Sequence, residues 1–484
     1  MEKYLIENQS FPSKRKWLFL ILTGGLLFRL AFLFFGGKYY YGAENFQIQG
    51  DTYGWIDSIM NLIQHGIYTS DLTVKNAAFF RPPGYAFIIG IFYLLTGCNL
   101  DLGLQLLSFS QIILDTVAIW LVYKIMLNIS KSEKASLFTS ALYATYPFII
   151  VWTPVLYAES LSVFFILSAL FFLTKEITIK NLLLSGIFTG MAVLTRLQCI
   201  FILPAILLYL SANKISVETI KTKLVPYLIG FGLLYGLWPI RNLIFQDRLV
   251  FSQDLRVGKH WSPDYMAFME YIFAVKTDHQ PQYQQIIENK KVEWPKNSFG
   301  TTHDSLLLRK TIEQFRVCGT GLSYFKFHAG LLATPIKSSE NCDQEIAENF
   351  TLLKNNFIKQ FPLDYYLLVP LSNLKKGIFK FSLLGDKSGA VKLAASTLFI
   401  YRTFLIVLGF ILLFVNYKKK WFQPQFGTLA ITYFLLWYFF LCFVYRNIEI
   451  RYFLQCDILL LFPIGLLIEK IVSKYSRPTK IKKA

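Results

Sequence analysis

The sequence lacks the short motifs that mark soluble nucleotide chemistry. It contains no Walker pattern, no GxSxG and no GxGxxG that follows a strand. Its six cysteines include no CxxC pair and show no spacing typical of a metal site. Internal repeats, Pro-rich or Gly/Ser-rich linkers and low-complexity tracts are absent too. These absences exclude a soluble nucleotide enzyme and a cysteine-based metal protein.

Charge is also scarce, and apolar residues take its place. Charged residues make up 16% of the 484 residues, whereas hydrophobic residues make up 54% and aromatic residues 17%. The mean hydropathy is +0.43, and apolar runs long enough to span hydrocarbon recur at both ends of the chain. The sequence therefore predicts an all-α, multi-pass membrane protein. Its first apolar run is long and has no small-residue cleavage site, so we expect a retained span and not a signal peptide.

Positive charge is in excess, with a formal net charge of +19. Basic clusters each lie beside an apolar segment, and this positive-inside pattern sets orientation and does not indicate nucleic acid. It predicts that both termini are cytoplasmic, and we expect the protein in the inner (plasma) membrane of a bacterial cell. The clusters are at 14–16, 131–134, 175–180, 214–223, 418–420 and 474–483.

About ten transmembrane helices are predicted, together with outer interfacial helices. The apolar piece 84–95 has twelve residues, about 18 Å of helix, against a hydrocarbon core of about 30 Å. We expect it to be a non-crossing or re-entrant outer helix, because every basic cluster then lies in the cytoplasm. The predicted spans are 17–35, 103–127, 135–152, 157–174, 181–195, 197–212, 224–240, 391–416, 425–445 and 452–471.

The spans divide the chain into three parts. Residues 1–240 form a transmembrane module with a first outer loop at 37–83. Residues 241–390 are too long and too aromatic for a linker, and are predicted to fold as a soluble outer cap. Residues 391–484 supply the last transmembrane helices and a basic cytoplasmic tail. Cys318 and Cys342 share the cap and could pair if that compartment is oxidising.

The first outer loop carries an acid at the start of a helical pattern. Apolar residues in Gly50–His65 recur at spacings of three and four, which predicts an amphipathic helix at the membrane interface. Asp51 has two interpretations here. It is either the N-cap of this helix or a carboxylate held where lipid meets water, ready to accept a proton. Asp57 is expected to be solvated. The apolar positions are Tyr53, Ile56, Ile59, Met60 and Ile63.

Several ionisable residues fall within or beside apolar segments, where they are functional candidates. Arg29, Arg196 and Arg241 outnumber the acids near the outer face, and guanidinium groups there suit a phosphate. For Asp115 we favour neutralisation by an arginine. Glu159, the acid of its outer hairpin, is a helix-start neighbour, a metal ligand or a substrate ligand. Snorkelling to lipid head groups is the alternative for Arg241 and the arginines of "YRNIEIRYF".

Taken in order, these segments resemble the GT-C superfamily of integral-membrane glycosyltransferases. The resemblance is closest to the glycosyltransferase family 39-like group of protein O-mannosyltransferases and lipid A-modifying enzymes. It covers roughly residues 15–250 and the final spans, but not the cap. The segments that carry it are Arg29, "GDTYGWIDSIMNLIQHGIY", "RPPGY" (81–85), "LYAES", "LTR" (194–196), "WPIRN" (238–242) and "RY" (451–452).

The resemblance implies a sugar donor on a polyprenyl phosphate, and transfer to a lipid, glycan or protein acceptor on the non-cytoplasmic face. Asp51 occupies the place of the family's proposed general base, in a single inverting displacement. Glu159 matches an acid that holds a divalent metal in some relatives, although "RPPGY" lacks a second acid. The residues expected to bind donor phosphate are Arg81, Arg241, Arg451, Arg29 and Arg196. The residues expected to contact substrate are Tyr53, Tyr85, Glu159 and Tyr452.

Two other functions remain open. A transporter or flippase of lipid-linked sugars would use the same outer arginines, but should show inverted repeats and broken midplane helices. A non-catalytic membrane assembly subunit would keep the cap as a binding module. Convergence of Asp51, Glu159 and the arginines at one outer cavity would favour an enzyme, whereas charges strung along a path through the bilayer would favour transport.

Overall fold

The structure is a computed structural model, and it describes residues 14–211, 216–253, 262–276, 280–328, 330–334, 340–379 and 389–475. Every regular element in these residues is helical. The predicted basic tail after residue 475 lies outside the described residues, as does part of the 214–223 cluster.

The helices of the first half are α1 (Lys14–Ala31), α2 (Gly37–Tyr41), α3 (Gly50–His65), α4 (Pro83–Leu95), α5 (Leu100–Ser130), α6 (Glu133–Ala144), α7 (Pro147–Trp152), α8 (Ala158–Leu173), α9 (Ile179–Thr195), α10 (Ile202–Ser211), α11 (Val217–Thr219), α12 (Val225–Tyr235) and α13 (Leu237–Gln246). The helices of the second half are α14 (Pro263–Val275), α15 (Gln280–Ile287), α16 (Thr302–Cys318), α17 (Thr320–His328), α18 (Glu340–Gln360), α19 (Val369–Ile378), α20 (Gly389–Lys419), α21 (Pro424–Phe439), α22 (Leu454–Asp457) and α23 (Leu461–Tyr475). Short 3₁₀ or π segments extend or join them at Phe32–Gly36, Lys75–Phe79, Leu197–Phe201, Ile220–Leu224, Asp364–Leu368, Phe440–Tyr445, Ile450–Phe453 and Ile458–Leu460.

The prediction of an all-helical membrane protein is confirmed. Within the described residues, four helical stretches are long and apolar enough to cross a membrane. The stretch Val217–Tyr235 together with α13, bent by 41°, would make a fifth. Other predicted spans are shorter or broken helices, such as α6 and α7, which are separated at Pro147. The number of crossings therefore stays a prediction, as does the outer position of α4. The four stretches are Arg15–Tyr41, Leu100–Ser130, Lys392–Lys419 and Pro424–Tyr445.

Polar residues at the chain's turns fix where the membrane helices begin and end. Asn99 caps α5 by accepting a hydrogen bond from the Leu102 amide at 3.1 Å. The helix ends at Lys131, which takes a left-handed conformation with φ of 57°. Ser132 then caps α6 and Thr178 caps α9 in the same way as Asn99. The turns between spans are thus specified locally, by capping residues.

Close backbone contact joins α9 to α12. A Cβ atom on Gly186 would lie 2.1 Å from the carbonyl oxygen of Tyr227, and one on Gly230 would lie 2.2 Å from that of Leu183. Only glycine fits at both positions, which is typical of helix pairs that meet within a bilayer. This contact sets the position of α9, whose end carries Arg196, relative to α13, which carries Arg241.

Two ion pairs are buried among the membrane helices. Arg29 pairs with Asp115 and also donates to the Ala144 carbonyl at 3.0 Å, and both charged side chains are fully buried. Arg402 contacts Asp457 at 2.6 Å. A buried charge that has a partner and hydrogen bonds is stabilised, whereas a lone one is not. The favoured interpretation of Asp115, neutralisation by an arginine, describes this arrangement. Arg29 is therefore removed from the expected phosphate-binding set, since its guanidinium is enclosed in the helix bundle.

The predicted cap region has an apolar core of its own. Phe268, Phe315 and Phe350 pack together with ring centroids 5.2 to 5.8 Å apart. Cys318 and Cys342 form a disulfide that closes the segment between α16 and α18. At the membrane side, Arg446 donates to the Tyr365 carbonyl at 2.8 Å and lies over the Tyr365 ring. The end of the cap is thus tied to the loop that precedes Arg451.

Candidate active site

Helix α3 begins two residues earlier than an N-cap at Asp51 would require. It spans Gly50–His65, Gln49 is its N-cap, and the Gln49 backbone amide donates to Thr52 Oγ1 at 3.2 Å. The N-cap interpretation of Asp51 is therefore wrong. Thr52 also donates to the Leu156 carbonyl at 3.1 Å, which ties the start of α3 to the segment before α8. The carboxylate of Asp51 is left to side-chain partners.

Two arginines from distant parts of the chain hold the Asp51 carboxylate. Arg81 Nη2 donates to Oδ1 at 2.9 Å, and Arg451 Nη2 donates to Oδ2 at 2.8 Å. Burial raises the pKa of Asp51, but the two guanidinium charges outweigh burial and lower the pKa well below its ordinary value. The side chain remains 37% exposed. Asp51 is thus an accessible, firmly ionised carboxylate.

Arg81 is positioned by its neighbours on both sides. It follows the turn Lys75–Phe79, and Pro82 holds the chain extended before α4 begins. The guanidinium lies 4.5 Å from the ring centre of Trp55. Gly54 leaves room for it, since a Cβ there would lie 3.2 Å from Arg81 Nε. The sequence "RPPGY" therefore positions the Arg81 guanidinium beside the first turns of α3.

Arg451 links Asp51 to two further carboxylates. Its Nε donates to Glu449 Oε2 at 2.7 Å and lies 3.6 Å from Glu159 Oε1. Glu159 is 1% exposed and pairs with Arg196 Nη1 at 2.7 Å. Glu159 lies in the first turn of α8 and Arg196 follows the last turn of α9, so each side chain also complements the dipole of its helix. Positive and negative groups thus alternate from Arg81 to Arg196.

Aromatic rings enclose the arginines. The Arg451 guanidinium lies 4.4 Å from the ring centre of Tyr157 and 5.6 Å from that of Trp152. Tyr452 lies beside both cations, 5.2 Å from Arg451 and 4.8 Å from Arg196. Its hydroxyl donates to Glu449 Oε1 at 2.8 Å. Cation–π contacts of this kind fix the guanidinium planes and keep the cluster partly dry.

The charges of this cluster balance. Three guanidinium groups (Arg81, Arg196 and Arg451) face three carboxylates (Asp51, Glu159 and Glu449). An incoming anion finds no spare positive charge here, so it must displace a carboxylate from an arginine. We call these six residues the ion cluster.

Arg241 lies outside the ion cluster and has a different environment. Its Nη2 donates to the Tyr68 carbonyl at 2.7 Å and its Nη1 to the Ala78 carbonyl at 3.2 Å. Among the described residues no carboxylate pairs with it. It lines an apolar cavity of about 610 Å³ that adjoins Pro83 and Gly84, directly after "RP". Other residues of this cavity are Leu62, Ile67, Phe87, Ile91, Leu194, Trp238 and Phe245.

Two of the other expected site residues do not reach the ion cluster. Tyr85 is fully buried, and its hydroxyl donates to Gln111 Oε1 at 2.8 Å. Tyr53 is 56% exposed on α3 and faces away from the buried Trp55. Tyr452 lies beside the ion cluster, against Arg451 and Arg196.

Sequence reasoning missed Glu449. It is the acid of "YRNIEIRYF", two positions before Arg451, and alternation of charge in that stretch was the available signal.

The carboxylates of the ion cluster do not fit a divalent metal. Glu159 faces Arg196 and Arg451, and Asp51 faces two arginines as well. Cations of this charge repel Mg²⁺ or Ca²⁺, which prefer several unneutralised oxygens. Within the part of the chain that the structure describes, no group of three or more His, Cys, Asp or Glu side chains could hold a metal ion.

Comparisons with known proteins bear on the fold. Residues 80–240 match the model of the dolichyl-phosphate-mannose-protein mannosyltransferase family. No curated protein sequence matches the chain. The oligosaccharyltransferase of Archaeoglobus fulgidus, in its apo form, aligns with a TM-score of 0.53 and 13% identity, over 96% of this chain and 51% of that one.

Two further structures align with lower scores. The archaeal oligosaccharyltransferase AglB from Archaeoglobus fulgidus, in complex with an inhibitory peptide and a dolichol-phosphate, has a TM-score of 0.48 and 12% identity, over 96% of this chain and 51% of that one. ArnT from Cupriavidus metallidurans, bound to undecaprenyl phosphate, has a TM-score of 0.33 and 12% identity, over 95% of this chain and 78% of that one.

The alignment with the apo oligosaccharyltransferase shows the fold of this chain. The chain spans about half the length of the oligosaccharyltransferase chains, 51%. The family match contains "RPPGY", "LYAES", "LTR" and most of "WPIRN", which are among the segments that carried the resemblance. The chain therefore has the fold of the Archaeoglobus fulgidus oligosaccharyltransferase, and its residues 80–240 are similar to the dolichyl-phosphate-mannose-protein mannosyltransferase family.

Proposed function

We propose that this protein is a glycosyltransferase that moves a sugar from a polyprenyl-phosphate donor to a lipid, glycan or protein acceptor on the non-cytoplasmic face of the membrane. One observation carries the proposal: Asp51, Glu159 and three arginines converge in a single ion cluster. A transporter needs charges spread along a path through the bilayer, and an assembly subunit needs no exposed carboxylate between two cations. The matched family acts with dolichyl-phosphate mannose, which supports the donor class.

The donor phosphate and its tail have an adjacent place to bind. Arg241 is a cation without a carboxylate partner among the described residues, and it borders an apolar cavity of about 610 Å³. An isoprenoid tail gains free energy when its apolar surface leaves water, and a guanidinium binds a phosphate with charge-assisted hydrogen bonds. Pro83 lines the cavity, and Arg81 lies two residues before Pro83 in the chain. The phosphate–sugar bond would then point from Arg241 toward Asp51.

Asp51 is the proposed general base. The acceptor oxygen attacks the anomeric carbon, the bond from that carbon to the phosphate oxygen breaks, and the acceptor proton passes to Asp51. The phosphate leaves with the bonding electron pair, on the face of the sugar opposite the acceptor. One displacement of this kind inverts the anomeric configuration. Positive charge near the leaving phosphate stabilises the transition state, and Arg81 and Arg451 are placed to supply it.

A carboxylate that is paired with two arginines is a weak base. Because the ion cluster carries no surplus charge, the donor phosphate must compete with Asp51 for Arg81 and Arg451. When the phosphate binds these guanidinium groups, Asp51 loses its two partners. Its pKa then rises toward the value that a general base needs to accept the proton of the acceptor hydroxyl. Donor binding would thus activate the base.

The orientation of the chain is also a proposal. The Cys318–Cys342 disulfide supports an oxidising compartment for the cap, as expected outside the cytoplasm. The ion cluster would then lie on the same side as the cap, because the loop that carries Arg451 is bonded to Tyr365 through Arg446. Both termini would be cytoplasmic under the positive-inside rule.

The test is single-turnover transfer from a radiolabelled polyprenyl-phosphate hexose in membranes, comparing wild type with Asp51→Asn. Asparagine keeps the size of the side chain and removes its basicity, so transfer should fall about 10²-fold or more. Asp57→Asn is the matched control, because Asp57 is an exposed carboxylate on the same helix. Equal transfer by wild type and Asp51→Asn would refute the base role. A wild type that transfers no sugar from any donor would favour the transporter or assembly functions.

A further inference from the structure

Glu449 makes contacts that no other acid of the ion cluster makes. One carboxylate oxygen accepts from Arg451 Nε at 2.7 Å, and the other accepts from the Tyr452 hydroxyl at 2.8 Å. The carboxylate therefore holds two neighbouring side chains in fixed relation. Glu449 is itself 41% exposed, so it is not present to fill a core.

Two carboxylates, those of Asp51 and Glu159, compete for the Arg451 guanidinium. Its Nη2 meets Asp51 at 2.8 Å, whereas its Nε lies 3.6 Å from Glu159. Glu159 is a competitor, because its buried Oε2 has no hydrogen-bond partner among the described residues and its Oε1 has, besides Arg451, only the ion-pair contact with Arg196 at 2.7 Å. Satisfying such an oxygen is favourable. Glu449 occupies the Nε direction and so keeps the guanidinium from turning toward Glu159.

We propose that Glu449 is a positioning residue, which holds Arg451 against Asp51 and away from Glu159. This inference rests on the proposed function of Asp51 as the base, but the geometry it concerns exists without substrate. When Glu449 is neutralised, Arg451 turns toward Glu159, and its interaction with Asp51 weakens. The transfer step then starts from a misaligned guanidinium.

Other titratable groups also face Asp51 and Arg451. Arg81 and Arg196 bring positive charge from before α4 and after α9, and Glu159 brings negative charge from α8. The remaining titratable groups nearby are the phenols of Tyr41, Tyr157, Tyr445 and Tyr452. They stay neutral at working pH, so they do not contribute to the titration of Asp51.

The direction of change distinguishes positioning from a through-space effect. Removing the negative charge of Glu449 would, by Coulomb's law alone, lower the pKa of Asp51. Loss of the ion pair with Arg451 would raise the pKa of Asp51, because an opposite charge within about 4–6 Å lowers a carboxyl pKa by about 1–3 units. A rise therefore identifies positioning, and a fall identifies simple electrostatics.

The experiment follows the infrared band of the protonated Asp51 carboxyl, identified by its loss in Asp51→Asn, as detergent-solubilised protein is titrated. An Arg81→Gln background brings the midpoint into an accessible range, because one of the two arginines is gone. In that background Glu449→Gln should raise the midpoint by about one pH unit. Glu449→Asp, which keeps the charge, should remain closer to the parent. Glu44→Gln is the matched control, since Glu44 pairs with Lys38 on the exposed surface.

A midpoint that stays constant or falls in Glu449→Gln would overturn the proposal. Sugar transfer gives a second measurement, in the wild-type background, where Glu449→Gln should slow single-turnover transfer about tenfold or more. If no donor supports transfer by wild type but the infrared midpoint still rises, the proposed function fails and the positioning role stands. If transfer depends on Asp51 but Glu449→Gln moves neither the midpoint nor the rate, only the positioning role fails.

Discussion

Arg451 donates a hydrogen bond to Asp51 across 2.8 Å and so joins two residues that lie 400 positions apart in the chain. Asp51 belongs to α3, near the start of the chain, and Arg451 to the turn before the last membrane helices. The ion cluster therefore exists only after the C-terminal helices have packed on the first module. A fragment that ends before α20 would keep Asp51, Arg81, Glu159 and Arg196 but lack the second cation on Asp51.

The pH dependence of transfer should reflect the two arginines on Asp51. Their charges lower the pKa of Asp51, so it stays ionised as pH falls, and kcat/KM should be flat from pH 7 to about 5. In Arg81→Gln the pKa rises, and the acid limb of kcat/KM should move up by about one unit or more. The measurement is the pH profile of initial transfer rates at low donor concentration.

Arg309→Gln is the control for this profile, because Arg309 is an exposed arginine of the cap. It should leave the acid limb where it is in wild type. If Arg81→Gln lowers the rate equally at every pH and leaves the acid limb unchanged, Arg81 does not govern the protonation of Asp51.

Arg241 should contribute to donor binding more than to the protonation of Asp51. Arg241→Gln removes a cation from the border of the apolar cavity, and loss of a charge-assisted hydrogen bond weakens binding by about 1.5–3 kcal/mol. The Kd for a short-chain polyprenyl phosphate should therefore rise about tenfold or more, with the acid limb of the pH profile unchanged. Equilibrium binding of the labelled lipid measures this.

The same assay with Arg309→Gln shows how much a general loss of positive charge contributes. An Arg241→Gln variant that binds the lipid as wild type does, while Arg81→Gln or Arg451→Gln binds it weakly, would show that the ion cluster alone binds the phosphate and that Arg241 does not.

The local features of this site could be predicted from the sequence, and the long-range ones only in part. The spacing of apolar residues from Tyr53 to Ile63 predicts a helix here, and the structure has one at Gly50–His65. The same pattern places Tyr53 on the apolar face of that helix, whereas the structure buries Trp55 and exposes Tyr53. Periodicity defines a face only to within about one position, because each residue covers 100° of the helix. Neighbouring elements decide which side is covered.

The partners of charged residues were harder to predict. Arg29 and Arg451 are both arginines near the end of an apolar run, yet one pairs with Asp115 inside the bundle and the other with Asp51 at the cluster. Which acid an arginine meets depends on how helices pack, and a single sequence does not contain that pairing. The alternating charges of "YRNIEIRYF" indicate Glu449 as a charged neighbour of Arg451, but its contact with Arg451 Nε depends on the same packing.

The disulfide should stabilise the cap without entering the ion cluster. Cys318 and Cys342 are 24 positions apart, and a loop of that length gives about 3 kcal/mol of stabilisation in the chain-entropy model. Replacing both residues by serine should therefore make the cap more sensitive to limited proteolysis, while Asp51 remains bonded to its arginines. Proteolysis at increasing temperature, with and without a reductant, measures this.

Cys98→Ser controls for loss of a thiol, because Cys98 is an exposed free cysteine outside the cap. If reductant changes the proteolysis of wild type no more than that of the double serine variant, the two cysteines do not form the bond in the membrane-embedded protein.

The buried pair of Arg29 and Asp115 should behave as a structural unit. Removing one partner leaves an uncompensated charge among membrane helices, which typically costs about 3–5 kcal/mol, whereas replacing both with apolar residues is often neutral. Arg29→Met and Asp115→Leu should each lower the thermal midpoint in detergent, and the double variant should recover most of the loss. Because neither residue touches the ion cluster, the double variant should also bind polyprenyl phosphate with the wild-type Kd. Additive destabilisation would show that the two side chains do not depend on each other. A stable double variant that no longer binds the lipid would return Arg29 to the phosphate site, from which its burial now removes it.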